Sequence, residues 1–197
     1  SFFPSFEHFY QLYQQRNHQL WIDYAAGKVT KDELNRQRFV YPLLVVGVPQ
    51  AEVIAKDFAT DFFQVIPTKS EVIPYAHEVL AELATRYNLY ILSNGFHELQ
   101  RHKMRSAGLD IYFKDVILSD DIGILKPDAR LFHHALKVAN ATIADSLMIG
   151  DSWESDVVGA SSVGMHQVYF SPKADASSLP FTPTYFITDL RQLLEVL

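Results

Sequence analysis

The chain has 197 residues, 48% of them hydrophobic, no cysteine, and a formal net charge of −6 at pH 7. That is enough length for one domain with an appended subdomain. It contains no run of about 18 apolar residues that would span a membrane, and no signal-peptide pattern. Absence of cysteine removes disulfides and thiolate metal sites and fits a cytoplasmic protein. The acidic balance argues against a nucleic acid polymer or an anionic membrane as a partner.

Residues 1–68 read as helical. Phe6, Phe9, Tyr10, Tyr13, Leu20, Trp21 and Tyr24 recur mostly on one helical face, which predicts a first helix with these aromatics mostly in the core. Gly27 sits where that helix could stop. Thr30 followed by Glu33 has the spacing of a capping box and predicts a second helix from there to about Val46. A third helix is predicted over "VPQAEVIAKDFATDFFQVI", with Pro49 near its start. The stretch 66–74, with two prolines and no helical period, reads as a link.

From residue 69 onward the pattern changes. Helical segments 74–87, 97–107, 128–140 and 154–163 alternate with short apolar runs: "LYILS" (89–93), "DVILS" (115–119), "LMIG" (147–150) and "HQVYF" (166–170). A last short strand is predicted at 184–188 and a closing helix at 189–197. Short apolar strands alternating with helices predict an α/β fold, a Rossmann-like parallel sheet with helices on both faces. The 1–68 and 69–197 segments thus form two subdomains, one all-helical and one α/β.

In open parallel sheets ligands bind beyond the carboxyl ends of the strands, and the polar residues gather there. "LYILS" ends in Ser93-Asn94-Gly95; "DVILS" leads through Asp120-Asp121 to Lys126-Pro127; "LMIG" ends in Gly150 followed by Asp151, with Asp156 five further on. A hydroxyl with free backbone N–H groups can hold a phosphate, a lysine can neutralise it, and a carboxylate can hold Mg²⁺. Each motif also has a plainer reading: a turn at Ser93-Asn94-Gly95, a solvated Lys126, a helix cap at Asp151, a first-turn acid at Asp156. Their order on successive strand ends is what points to one site. The eight histidines show no metal-ligand spacing and read as structural or surface residues.

These residues resemble the motifs of the haloacid dehalogenase (HAD) superfamily. The serine ending a strand is matched by Ser93, the lysine by Lys126 in "GILKPD", and Gly-Asp-x-x-x-x-Asp by Gly150, Asp151 and Asp156. The resemblance covers the whole chain and makes residues 1–68 the family's helical cap. "LWIDYAAGKVT", "ILSNGFHELQ", "ILSDDIGILKPD" and "GDSWESD" are similar to the branch that acts as pyrimidine nucleotide 5′-nucleotidases. It implies a Mg²⁺-dependent phosphomonoester hydrolase working through an aspartyl-phosphate on a small phosphorylated metabolite, a nucleoside 5′-monophosphate. Ser93, Asn94, Gly95 and Lys126 would hold the phosphoryl group, with Ser93 and Lys126 taking part in catalysis. Asp151 would be the metal ligand, and Asp156 would orient Lys126 from behind.

One family motif is not found. Asp-x-Asp, which carries the nucleophile and the general acid/base at the end of a first strand, does not occur in residues 1–197. The chain opens at Ser1 without a methionine, inside what the resemblance makes the cap. The expectation is that the motif lies on a segment outside this sequence, on a strand between 89–93 and 147–150. The alternatives are a non-catalytic phosphate-binding module and a metal-independent 2-haloacid dehalogenase.

Overall fold

A computed structural model describes residues 2–173 and 176–197. The chain divides into two compact units, 1–68 and 69–197.

The first unit consists of three helices: α1 (Phe6–Ala25), α2 (Lys31–Val45) and α3 (Ala51–Val65). Ser5 caps α1 by accepting from the His8 N–H, and Thr30 caps α2 by accepting from the Glu33 N–H. The reciprocal half of the expected box is not made. The Glu33 carboxylate instead pairs with Arg36 and Gln37, because guanidinium and amide donors one turn on compete for it. Helix α3 starts two residues after Pro49, behind Gln50 in the left-handed region. The core of this unit is Phe39, Val40, Leu43, Val48, Ala51 and Ala55.

The predicted aromatic face of α1 is less buried than its periodicity suggests. Only Leu20 of α1 is fully buried, while Phe6 is 68% exposed. Phe6 and Tyr10, one helical turn apart, cover part of each other's surface by stacking at 5.5 Å. Trp21 and Tyr24 are half-buried and meet edge to face.

In the second unit α4 (Ala76–Arg86) precedes β1 (Leu89–Ser93), α5 (His97–Ser106), β2 (Phe113–Leu118) and the short α6 (Ser119–Ile122). Then come α7 (Ala129–Ala139), β3 (Leu147–Gly150), a π-helical turn at Trp153–Val158 running into α8 (Gly159–Ser162), and β4 (His166–Phe170). The chain closes with β5 (Tyr185–Ile187) and the short α9 (Leu193–Val196). All pairings are parallel: β1 with β2, and β3 with β4 and β4 with β5. Among the described residues the strands form two sheets, of order β1-β2 and β3-β4-β5, and no ladder joins β1 to β3, as the expectation of a further strand between 89–93 and 147–150 requires.

Side-chain alternation nevertheless makes them share two cores. Leu89 of β1, Leu147 of β3 and Val168 of β4 pack with Val79 and Leu83 of α4 and Leu193 of α9. On the opposite face Leu92 and Met148 pack with Phe132 of α7 and Ala160 of α8. Helices thus cover both faces, as the apolar strand runs predict. The predicted closing helix 189–197 is shorter than expected, a turn at Leu190–Gln192 followed by α9.

Two close contacts fix the helices flanking the strand ends. A Cβ at Gly159 would lie 2.7 Å from the Phe132 ring and 3.1 Å from Pro127 Cα. Gly159→Ala should therefore cost about 1–3 kcal/mol, read by urea unfolding, because a well-packed core has no room to give. Asp128 caps α7 through the Arg130 N–H, and the Arg130 guanidinium holds its carboxyl well below the usual range, at about 2. A depressed acid stabilises above the usual carboxylate range and loses that contribution as pH falls through its folded value. Asp128→Ala should cost about 1 kcal/mol at pH 7. Its deficit against the parent should shrink between roughly pH 4 and pH 2, where the parent's own carboxyl is protonated.

Candidate active site

The site begins at the end of β1. Ser93 is its last residue, and Asn94-Gly95 turn the chain toward α5. The Gly95 N–H donates to Ser93 Oγ at 3.0 Å, and Gln100 Nε2 donates to the same oxygen at 2.7 Å. Gly95 leaves room for that amide. A Cβ on it would sit 2.2–2.5 Å from the Gln100 side chain. The Asn94 side chain has a task separate from the backbone role its motif position implies. Its side chain clamps the backbone of Lys126, accepting from Lys126 N at 2.7 Å and donating to Lys126 O at 2.9 Å.

That clamp sets the lysine. Lys126 is 8% exposed, which overturns its reading as a solvated residue before a proline. Its ammonium donates to Leu92 O at 2.7 Å and to Asp156 Oδ1 at 2.6 Å. An ammonium has three N–H donors. Two are taken by the protein, and the third has no acceptor among the described residues.

Asp156 stands on the π-helical turn, 4% exposed. The sequence predicts an ordinary helix over 154–163; the structure has a wider turn over 153–158 that carries Asp156 inward. Its Oδ2 accepts from the Ser152 N–H at 3.0 Å. Gly150 makes room for it, since a Cβ there would lie 2.2 Å from Asp156 Oδ2. Asp151, at the end of β3, has an exposed carboxylate with no hydrogen bond or ion pair to the described residues.

Hydrogen bonds thus tie Ser93 to Gly95 and Gln100, and Lys126 to Asn94, Leu92 and Asp156, two sets joined through the chain at the end of β1. Asp151 joins them only through its neighbour Ser152. The acids Asp120 and Asp121 do not: Asp121 accepts from the Leu118 N–H and Asp120 from the His97 N–H. Among the described residues no group of three or more His, Cys, Asp or Glu side chains could hold a metal. Asp151 fits Mg²⁺ as a single hard oxygen ligand, an ion that keeps several waters. Asp156 has each of its oxygens committed to one donor, Lys126 Nζ and the Ser152 N–H. Gln100 ends the segment "ILSNGFHELQ" but takes no role from the resemblance. A glutamine in the first turn of the helix after Ser-Asn-Gly is the signal that could have found it.

Comparison with known proteins identifies the family and the fold. The family described as haloacid dehalogenase-like hydrolase matches residues 6–164. The HAD-hydrolase YfnB from Bacillus subtilis, bound to magnesium in its crystal structure, superimposes with a TM-score of 0.86. It is 26% identical, over 98% of this chain and 83% of that one. Pyrimidine 5′-nucleotidase YjjG from Escherichia coli is 27% identical over 95% of this chain and 82% of its own. A 2-haloacid dehalogenase from Pseudomonas syringae is also similar, with 26% identity and a TM-score of 0.66 over 98% of this chain and 80% of that one. With the fold and the family match in agreement, the chain belongs to the haloacid dehalogenase-like hydrolases.

Proposed function

We propose that this hydrolase is a Mg²⁺-dependent phosphatase acting through an aspartyl-phosphate on nucleoside 5′-monophosphates. The observation that carries the reading is the pair of uncommitted donors, one on Ser93 at the end of β1 and one on a lysine bonded to the carbonyl of the residue before Ser93. Ser93 offers one O–H and buried Lys126 offers one N–H, and their other bonding positions are satisfied by protein. Fixed donors of this kind suit a phosphoryl group, whose oxygens gain negative charge as transfer proceeds.

In this mechanism Ser93 and the Asn94 N–H hold phosphoryl oxygens, while the Gly95 N–H is committed to Ser93 Oγ. Lys126, fixed by Asp156 and the Asn94 clamp, sits between the phosphate and the attacking carboxylate. A carboxylate oxygen attacks phosphorus, the P–O bond to the leaving group breaks, and the leaving oxygen takes a proton from a general acid. Water then displaces the carboxylate and frees phosphate. The family pattern puts nucleophile and acid on an Asp-x-Asp strand. The ladder edges that β1 and β3 turn away from their partners give such a strand a place to pair. Asp151 would hold the Mg²⁺, which would supply charge neutralisation at the phosphate.

The dehalogenase reading rests on the same fold. It is disfavoured by Asp151, an exposed carboxylate that metal-independent attack on carbon would not need. The nucleotide preference rests on the similarity to YjjG and on the cap and loop segments quoted above.

The test is a panel of phosphomonoesters assayed on the intact protein with and without EDTA. Turnover should require Mg²⁺ and favour pyrimidine over purine nucleoside 5′-monophosphates. Lys126→Ala should cut kcat by on the order of 10²-fold or more, and Asp151→Asn should abolish most turnover and weaken Mg²⁺ binding. EDTA-insensitive release of halide from 2-haloacids would replace this reading with the dehalogenase one. A preference for sugar phosphates would remove the nucleotide assignment alone.

A further inference from the structure

The Ser93 hydroxyl carries two lone pairs and one proton. The Gly95 N–H, at 3.0 Å, and the Gln100 amide, at 2.7 Å, both donate to its oxygen. Its acceptor capacity is therefore used. No described residue accepts its proton, so whatever ligand meets Ser93 must be an acceptor. Of the two donors, only Gln100 is a side chain, seven residues away and on a different element. Its placement is tight, since the Gly95 backbone packs so closely on it that no Cβ would fit between them. A glutamine amide can present either end. With the N–H taken up by Ser93, the serine donates outward; with a carbonyl in that place, the serine would donate inward and its proton would be lost to the site.

We propose that Gln100 is a positioning residue of the phosphate site: by donating to Ser93 Oγ it fixes that hydroxyl as a pure donor aimed at a phosphoryl oxygen. This rests on the phosphatase reading above, and it gives a role to Gln100, which ends the segment "ILSNGFHELQ" but takes none from the resemblance.

The test measures inorganic phosphate binding to the intact protein by calorimetry, for the parent, Ser93→Ala, Gln100→Leu and Gln100→Glu, with thermal unfolding of each recorded without phosphate. Gln100→Leu keeps the bulk and removes the donor, so the hydroxyl is free to turn. Phosphate affinity should fall about three- to tenfold, the worth of one hydrogen bond. Gln100→Glu supplies an acceptor that takes the Ser93 proton and adds negative charge nearby. It should bind phosphate more weakly than Gln100→Leu, near the level of Ser93→Ala or below. In a Ser93→Ala background, Gln100→Leu should weaken phosphate no further.

A merely structural glutamine gives a different pattern. Both Gln100 variants would then lower the unfolding temperature and leave phosphate affinity as in the parent, which overturns the proposal. Equal losses from Gln100→Leu with and without Ser93 would overturn it as well. If Ser93→Ala itself binds phosphate like the parent, the reading of the β1 end as a phosphate site fails, and the role of Gln100 fails with it. If Ser93→Ala weakens binding and Gln100→Leu does not, only the role of Gln100 fails.

Discussion

The ion pair between Lys126 and Asp156 is the constraint on which the rest of the second unit depends. Its side chains are 9% and 6% exposed and meet at 2.6 Å. Taking two charges out of water costs several kcal/mol per ion, which their attraction offsets only when the remaining donors and acceptors are also satisfied. Here they largely are. Leu92 O takes a second ammonium proton and the Ser152 N–H takes the second carboxylate oxygen. The pair thereby ties the end of β1, the loop after α6 and the turn after β3 together, where no backbone ladder joins β1 to β3 among the described residues.

In the proposed reaction, fixing these groups also prepares them for chemistry. A lysine free in solvent would spend side-chain entropy and shed water each time it met a phosphate. Lys126 is already dehydrated and held, with one proton left to give. Ser93 repeats the pattern in neutral form, with two donors to its oxygen and one proton outward. Preorganised donors of this kind stabilise developing charge without reorganising when it appears. Asp151, by contrast, is left uncommitted and exposed beside this rigid cluster, which suits a ligand for a hydrated cation.

Much of this was legible in the sequence where chemistry and periodicity agree. The apolar runs at 89–93, 147–150 and 166–170 are strands with those bounds, and Thr30 caps α2 as its spacing predicts. Strand ends could be read as a site because a parallel sheet puts them on one edge. The parts that were not legible depend on geometry that spacing does not encode. The π-helical turn looks like any helix in the sequence, yet its extra residue per turn is what carries Asp156 inward. Asn94 reads as a turn residue, and only the fold brings its amide to the Lys126 backbone, 32 positions away. Periodicity placed Phe6 and Tyr10 in a core, but the pair stacks on itself while remaining exposed.

The central claim, that one buried ion pair organises the strand ends, is tested most directly by a double-mutant cycle on Lys126→Met and Asp156→Leu, with stability measured by urea unfolding. Each single change leaves one charge buried without its partner and should cost about 3–5 kcal/mol. The double change removes both charges and should cost little more than either alone, giving a coupling above about 2 kcal/mol. Costs that simply add, to within about 0.5 kcal/mol, would show that the two residues do not act as a pair and would contradict the account.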